Sequence, residues 1–263
     1  MRIRSKRRLA AARFGLLFAF LLLWELVTGG FGLGLLLFEP LILPAPSVIL
    51  RSIVEYGQSG LLLFDVRATL TAAFLGLVLG VFGGAAFGVM LGYWRAGAQL
   101  LEPAMVAINS LPRITVAPLL ILWFGLGMTS QVVLSLFTVF FVIFWNTYLG
   151  IKTVDPELLR VVKVMGGSRL EVGRMVVLPT VVSWIFAALR TAVSFALSGA
   201  VVAEFVGSTR GLGYRMTFAA GLLNTPRVFA IMTILGVVSV VLVRGAERIE
   251  RRALRWRPDE QLA

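Results

Sequence analysis

Residues 155–179 read DPELLRVVKVMGGSRLEVGRMVVLP, an amphipathic, basic stretch inside a chain that is otherwise mostly lipid-soluble. Asp155 is placed to cap a helix, Pro156 suits its first turn, and Glu157 complements its positive end. Leu158, Val161, Val162 and Met165 follow at i, i+3, i+4 and i+7, which predicts one apolar face, with Arg160 and Lys163 pointing elsewhere. Gly166 and Gly167 allow the left-handed turn that ends such a helix. Ser168 and Glu171, with Arg169 between them, have the spacing of a capping box for a second short helix. Pro179 then marks the start of the next hydrophobic run. The stretch therefore predicts a rigid helix-turn-helix with an apolar face and a basic face. A pair of helices lying on lipid headgroups is the plainer alternative, but it has no need of a defined Gly-Gly-Ser corner.

The surroundings explain why such a corner stands out. The chain has 263 residues, 59% hydrophobic and only 14% charged, with a mean hydropathy of +0.92. Soluble domains carry roughly a quarter charged residues. Long apolar runs that do not alternate, such as LSLFTVFFVIF, predict an all-α polytopic membrane protein and argue against a β-barrel. The net charge of +12 lies mostly in segments flanking the runs, the pattern of cytoplasmic ends, and argues against a nucleic-acid surface. With no cysteine and no histidine, thiol chemistry, Cys/His metal sites and Ser-His or Cys-His nucleophiles are excluded. Lysine occurs only at Lys6, Lys152 and Lys163, none after a glycine, so no GxxxxGK[ST] phosphate loop exists. Neither catalytic residues, a metal nor a cofactor is expected in this chain.

Six spans are expected, with both ends cytoplasmic: residues 1–13 as an inner N-terminus, a membrane domain over 14–245 and an inner tail over 246–263, all one domain. MRIRSKRRLAAAR opens with six basic residues before an apolar run. Trp24 and Glu25 interrupt that run and no A-x-A site follows, so a retained first span is expected, with Glu25 at the interface. Pro40, Pro44 and Pro46 precede an outer interfacial helix that Ser47 can cap. The second span, about 69–94, carries Gly76, Gly80, Gly84, Gly88 and Gly92 at strict i+4 spacing. Such a stripe admits another backbone closely, within the chain or at a subunit interface. The third span, within 103–125, is expected to kink at Pro112 and Pro118. The fourth covers about 132–149, the fifth 181–204 and the sixth 228–243. The tail, with Trp256, suits the inner membrane surface.

At this point the corner resembles the cytoplasmic loop of binding-protein-dependent ABC importer permeases, whose pattern is EAA, three residues, Gly, nine residues, Ile, one residue, Leu-Pro. Those positions fall on Arg160-Val161-Val162, Gly166, Val176, Leu178 and Pro179. PLLILWFGLG at 118–127, VDPELL, AEFVGSTRGLGYRM at 203–216, NTPRVFAIM, LPAPSV and LLWEL are similar to the nitrate, taurine (sulfonate) and bicarbonate branch. The resemblance covers nearly the whole chain. It implies a type I importer permease in a bacterial inner membrane, paired with a second permease copy as a homodimer. It also implies two ATPase subunits that bind the ATP, and a periplasmic or lipid-anchored binding protein that delivers a small anion or a thiamine-precursor-like solute. The loop would be the coupling helix, with Glu157, Arg160, Lys163, Gly166, Gly167, Ser168, Arg169, Leu178 and Pro179 at the ATPase, and ATP binding would switch the pathway from inward-open to outward-open.

Polar residues inside spans are candidates for the pathway because burying them is costly. Arg113 could attract an anion, with Asn109 and Ser110 one turn earlier, or snorkel to the interface. Arg190 could balance a helix end or Glu204 of a partner copy. Asn146 and Thr147 could line an inner gate or cap a helix end. Ser194 and Ser198 would share one side of the fifth span, bonding substrate or their own backbone. A self-sufficient secondary transporter or channel is the alternative, but no inverted repeat is evident. An intramembrane aspartate enzyme fits poorly, since Asp65, Asp155 and Asp259 are expected outside the spans.

Overall fold

The computed structural model describes residues 2–29 and 41–254. Among them every regular element is a helix: α1 Arg2–Val27, α2 Pro46–Gln58, α3 Leu61–Tyr93, α4 Arg95–Asn109, α5 Arg113–Phe124, α6 Met128–Lys152, α7 Pro156–Val164, α8 Arg169–Val172, a π-turn Gly173–Val177, α9 Leu178–Gly207, α10 Leu212–Gly221 and α11 Thr225–Ala253. Glu39, Pro40, Trp256 and Asp259 lie outside the described residues, as do the tail beyond 254 and the side chain of Arg169. The chain divides into two compact units, Met1–Phe64 with Arg215–Gly236, and Asp65–Tyr214 with Val237–Ala263.

Four helices are long and apolar enough to cross a membrane: Leu61–Tyr93, Met128–Lys152, Leu170–Gly207 and Thr225–Ala253. The bent pair α4 and α5 makes a fifth when counted as one span. Where six full spans were expected, α1 contributes the shorter apolar run Gly15–Val27, because the helix before it is basic. The proline-rich third run does more than kink: α4 and α5 meet at 95° across Ser110–Pro112. Pro112 has no N–H to give and disfavours helix at the residue before it, so the chain restarts at Arg113 instead of bending smoothly.

In the first unit, α2 begins at Pro46 with Ala45 as its cap residue, not with Ser47 as expected. Ser47 sits inside the first turn, and the carboxylate of Glu25 on α1 takes both its N–H (2.9 Å) and its hydroxyl. Glu25 is therefore 5% exposed, held within the protein by these contacts. Trp24 packs edge-on against Phe229.

The second unit is built on α6, half of whose apolar window is buried inside the chain. The glycine stripe of α3 lies against it. A Cβ at Gly76, Gly80, Gly84, Gly88 or Gly92 would collide in turn with Ser135, Val139, the Phe140 carbonyl, Thr147 or Ile151, so the stripe packs within the chain. Lipid removes most of the hydrophobic drive between helices, so this close backbone approach supplies the cohesion by van der Waals contact. On the other flank of α6, the Ser135 hydroxyl donates to the Ala196 carbonyl (2.9 Å) and Thr138 to the Phe195 carbonyl (3.0 Å), tying it to α9. Phe87, Phe140, Phe144 and Tyr148 fill the space toward α4, where the Tyr148 hydroxyl donates to Glu102 (2.9 Å).

Candidate functional site

The corner at 155–179 is assembled by short-range bonds. Asp155 accepts from the Glu157 N–H at 2.8 Å and starts α7. The helix closes when the Gly167 N–H reaches back to the Val162 carbonyl, with Gly166 at φ +80°. The capping box forms in both directions: the Ser168 N–H donates to Glu171 (2.7 Å), and the Glu171 N–H donates to the Ser168 hydroxyl (3.3 Å). No residue of α7 is buried. Leu158, Val161, Val164 and Met165 are 52%, 54%, 87% and 82% exposed, and Glu157, Arg160 and Lys163 share the exposed helix with them.

After the corner the chain does not break again at Pro179. The π-turn lets the Leu178 N–H bond to the Gly173 carbonyl, five residues back. That wider loop absorbs the proline ring and its missing donor, and residues 170–207 run on as one helix. Leu178 is exposed and Pro179 lies in the first turn of α9.

At the other end of α9 stands an assembly that is buried throughout. Asp65 is fully buried in the first turns of α3, not in an outer loop, because α3 starts eight residues earlier than its apolar run suggests. Its carboxylate accepts from the Gly211 N–H (2.9 Å), the Thr69 hydroxyl accepts from the Leu212 N–H (2.9 Å), and Glu204 accepts from the Gly213 N–H (2.7 Å). Thr69 also donates to Glu204 at 2.8 Å. Three successive amides at the start of α10 are thus each met by a side chain from α3 or α9, where a helix start normally leaves them orphaned. Gly211, at φ +108°, and Gly213 leave the room: a Cβ on the first would strike the Glu204 carboxylate, and on the second the Val201 carbonyl, at 2.7 Å. Asp65 and Thr69 escaped the sequence reading; their i, i+4 spacing ahead of an apolar helix was the available signal.

The remaining polar candidates separate. Arg113 opens α5 with its guanidinium 4.2 Å from the centre of the Phe195 ring, and it has no ion pair among the described residues. Asn109 and Ser110 are exposed at the 95° break, and Ser110 bonds the Val106 carbonyl. Asn146 and Thr147 do not cap α6, which runs on to Lys152; Asn146 donates to Val142 in its own helix, and Thr147 is buried against Gly88. Arg190 pairs with Glu250 (3.2 Å) and Glu247 (3.6 Å) of this same chain. Ser198 bonds Ser194, and Ser194 bonds Arg190, each through a backbone carbonyl.

Comparison with known proteins agrees with this architecture. The family described as "Binding-protein-dependent transport system inner membrane component" matches residues 76–255. The riboflavin transport system permease protein of Chloroflexus aurantiacus is 34% identical over 255 residues, covering 97% of this chain and 94% of that one. The taurine transport system permease protein of Escherichia coli is 29% identical over 230 residues, covering 86% and 84%. Among solved structures, a chain of the MetNI methionine ABC transporter in an inward-facing conformation superposes with a TM-score of 0.65 at 18% identity, over 74% of this chain and 97% of that one.

Proposed function

This chain belongs to the family of binding-protein-dependent transport system inner membrane components, and from that premise we propose that it is the permease half of an ATP-driven importer for a small anionic solute, worked through residues 155–179 by a separate ATPase. It is a multi-pass inner-membrane permease; the coupling, the solute and the partner stoichiometry are what the proposal adds. One observation carries it: Leu158, Val161 and Met165, at i, i+3 and i+7 along one face, stand 52%, 54% and 82% exposed on a short helix capped by Asp155 that belongs to no membrane span. An apolar strip rimmed by Glu157, Arg160, Lys163 and the Gly166–Gly167–Ser168 corner fits the cleft of a protein partner. Leu178 and Pro179 then join the seat to α9.

ATP is held by that partner, since this chain has no phosphate loop. Two permease copies, two ATPases and an external binding protein complete the importer, with both termini on the ATPase side. For the solute, Arg113 is the residue to which we assign attraction of an anion, because its charge meets an aromatic face and no carboxylate among the described residues. Asn109 and Ser110 flank it at the break. Arg190, Ser194 and Ser198 recede from the pathway, being satisfied within the chain, and Glu204 recedes as a cap.

Because the chain lacks cysteine, Ser168→Cys provides a single thiol. It should crosslink to a cysteine in the cleft of the co-purified ATPase, and the intact complex should weigh as two permeases with two ATPases. A thiol labelled only from outside the cell overturns the topology. A monomer or homo-oligomer that transports without ATP selects the self-sufficient transporter instead.

A further inference from the structure

We propose that the pocket formed in the first unit by the end of α2, the second half of α10 and the first turn of α11 binds the phosphodiester headgroup of an anionic phospholipid. The pocket holds about 210 Å3. One water needs roughly 10–15 Å3, so there is room for a phosphate with its nearest waters. Arg215, Arg227, Asn224 and Tyr56 supply the polar wall, Phe218 and Leu222 the apolar one.

Arg227 is the centre of the site. Its guanidinium lies 4.9 Å from the centre of the Tyr56 ring, and its Nη1 donates to the Ser52 carbonyl at 3.0 Å. These two contacts fix the plane of the fork but do not neutralise it: among the described residues Arg227 has no carboxylate partner. A fixed guanidinium presents its remaining donors to a phosphate with geometric selectivity. Beside it, the Asn224 Oδ1 accepts from the Arg227 N–H (3.1 Å) and caps α11, while its Nδ2 donates to no described residue. Between Leu222 and Asn224, Leu223 is the single described non-glycine residue at positive φ, 54°. A leucine held in that region marks a turn whose shape is imposed by its surroundings, as at binding sites.

Depth selects the source of the phosphate. Leu61, on the pocket wall, is the first residue of α3, and Arg227 is in the first turn of α11, so the pocket stands at the ends of two helices long and apolar enough to cross a membrane. Leu222 and Phe218, 65% and 52% exposed, offer the acyl chains a continuous apolar surface. The basic run Arg244, Arg248, Arg251 and Arg252 is at the far end of α11. Lysine and arginine collect on one side of a membrane protein.

The test uses the purified full-length chain with whatever subunits accompany it, stripped of lipid in detergent and titrated with phosphatidylglycerol, phosphatidylcholine or inorganic phosphate, with retained lipid read by native mass spectrometry. Phosphatidylglycerol should bind about tenfold more tightly than phosphatidylcholine, because both offer the phosphodiester but the choline ammonium sets a further positive charge beside Arg227 and Arg215. Asn224→Asp keeps the helix cap but sets a negative charge in the pocket, and it should abolish the preference without loss of thermal stability. Arg227→Gln should abolish it too; should that variant fail to fold, Asn224→Asp still decides. Equal binding of both lipids, or an undiminished preference in Asn224→Asp, overturns the site. Inorganic phosphate displacing phosphatidylglycerol at equal concentration overturns the lipid assignment in favour of a free-anion site.

Discussion

The two ends of α9 are both tight turns with a glycine at positive φ, yet they are held in opposite ways. At the first, residues 166–171 close on themselves through bonds three residues apart, and every group involved is exposed. At the second, residues 211–213 are held by Asp65, Thr69 and Glu204, two of them more than 140 residues distant in sequence, and all are buried. The first turn is rigid without help and leaves its surface free for a partner. The second has no shape of its own and is defined by the helices it ties together. A surface turn can thus be exchanged, covered or displaced without disturbing the fold, whereas the buried one cannot change without the fold changing too.

Substitutions sharpen the contrast. Glu204→Leu should do the most damage, since it takes from the buried Gly213 amide the carboxylate it donates to and leaves the Thr69 hydroxyl only the Asp65 carbonyl, at 3.2 Å. We expect a loss of about 3–5 kcal/mol in thermal unfolding of the detergent-solubilised chain, or failure to accumulate in the membrane. Gly211→Ala comes next: a left-handed alanine costs about 1–2 kcal/mol by itself, and here its methyl also meets the Glu204 carboxylate, so the measured loss should exceed that range. Gly166→Ala carries the same backbone penalty in open space and should stay within about 1–2 kcal/mol. Ser168→Ala removes one exposed cap and should cost about 1 kcal/mol. A Gly166→Ala loss equal to that of Gly211→Ala would break the comparison. Activity should rank differently: Gly167 replaced by a bulky residue should leave the chain in the membrane while ATP hydrolysis and transport part company, whereas normal transport would remove the corner from the mechanism.

What the sequence made legible follows the same division. The Asp155 cap, the Gly166 turn and the Ser168–Glu171 box are contacts over two to five residues, and spacing alone announces them. The glycine stripe was visible as a groove, but its occupant, α6, was not. Arg190 is a different case. A charge in a span signals that a partner exists, yet Glu247 and Glu250 lie on another helix, and no local pattern connects them. Asp65 misled because hydropathy falls at Asp65 and Arg67 and reads as the edge of the span, although a satisfied buried carboxylate lets the helix begin earlier. At Pro112 and Pro179 the same residue type gave a right-angle break and an unbroken helix. The difference is the π-turn ahead of Pro179, which composition does not encode.

That π-turn has a mechanical consequence. By removing the joint that Pro179 would otherwise create, it makes residues 170–207 a single rod, about 55 Å long at 1.5 Å per residue. On the coupling proposed above, a push on the exposed corner would meet no helix break before the far end of α9. A tilt of about 5° would swing the far end through about 5 Å over such a length, and the part that swings is the Glu204 carboxylate together with the amides it grips. On that same coupling, the exposed corner would be the handle of a lever and the buried Glu204 assembly its load.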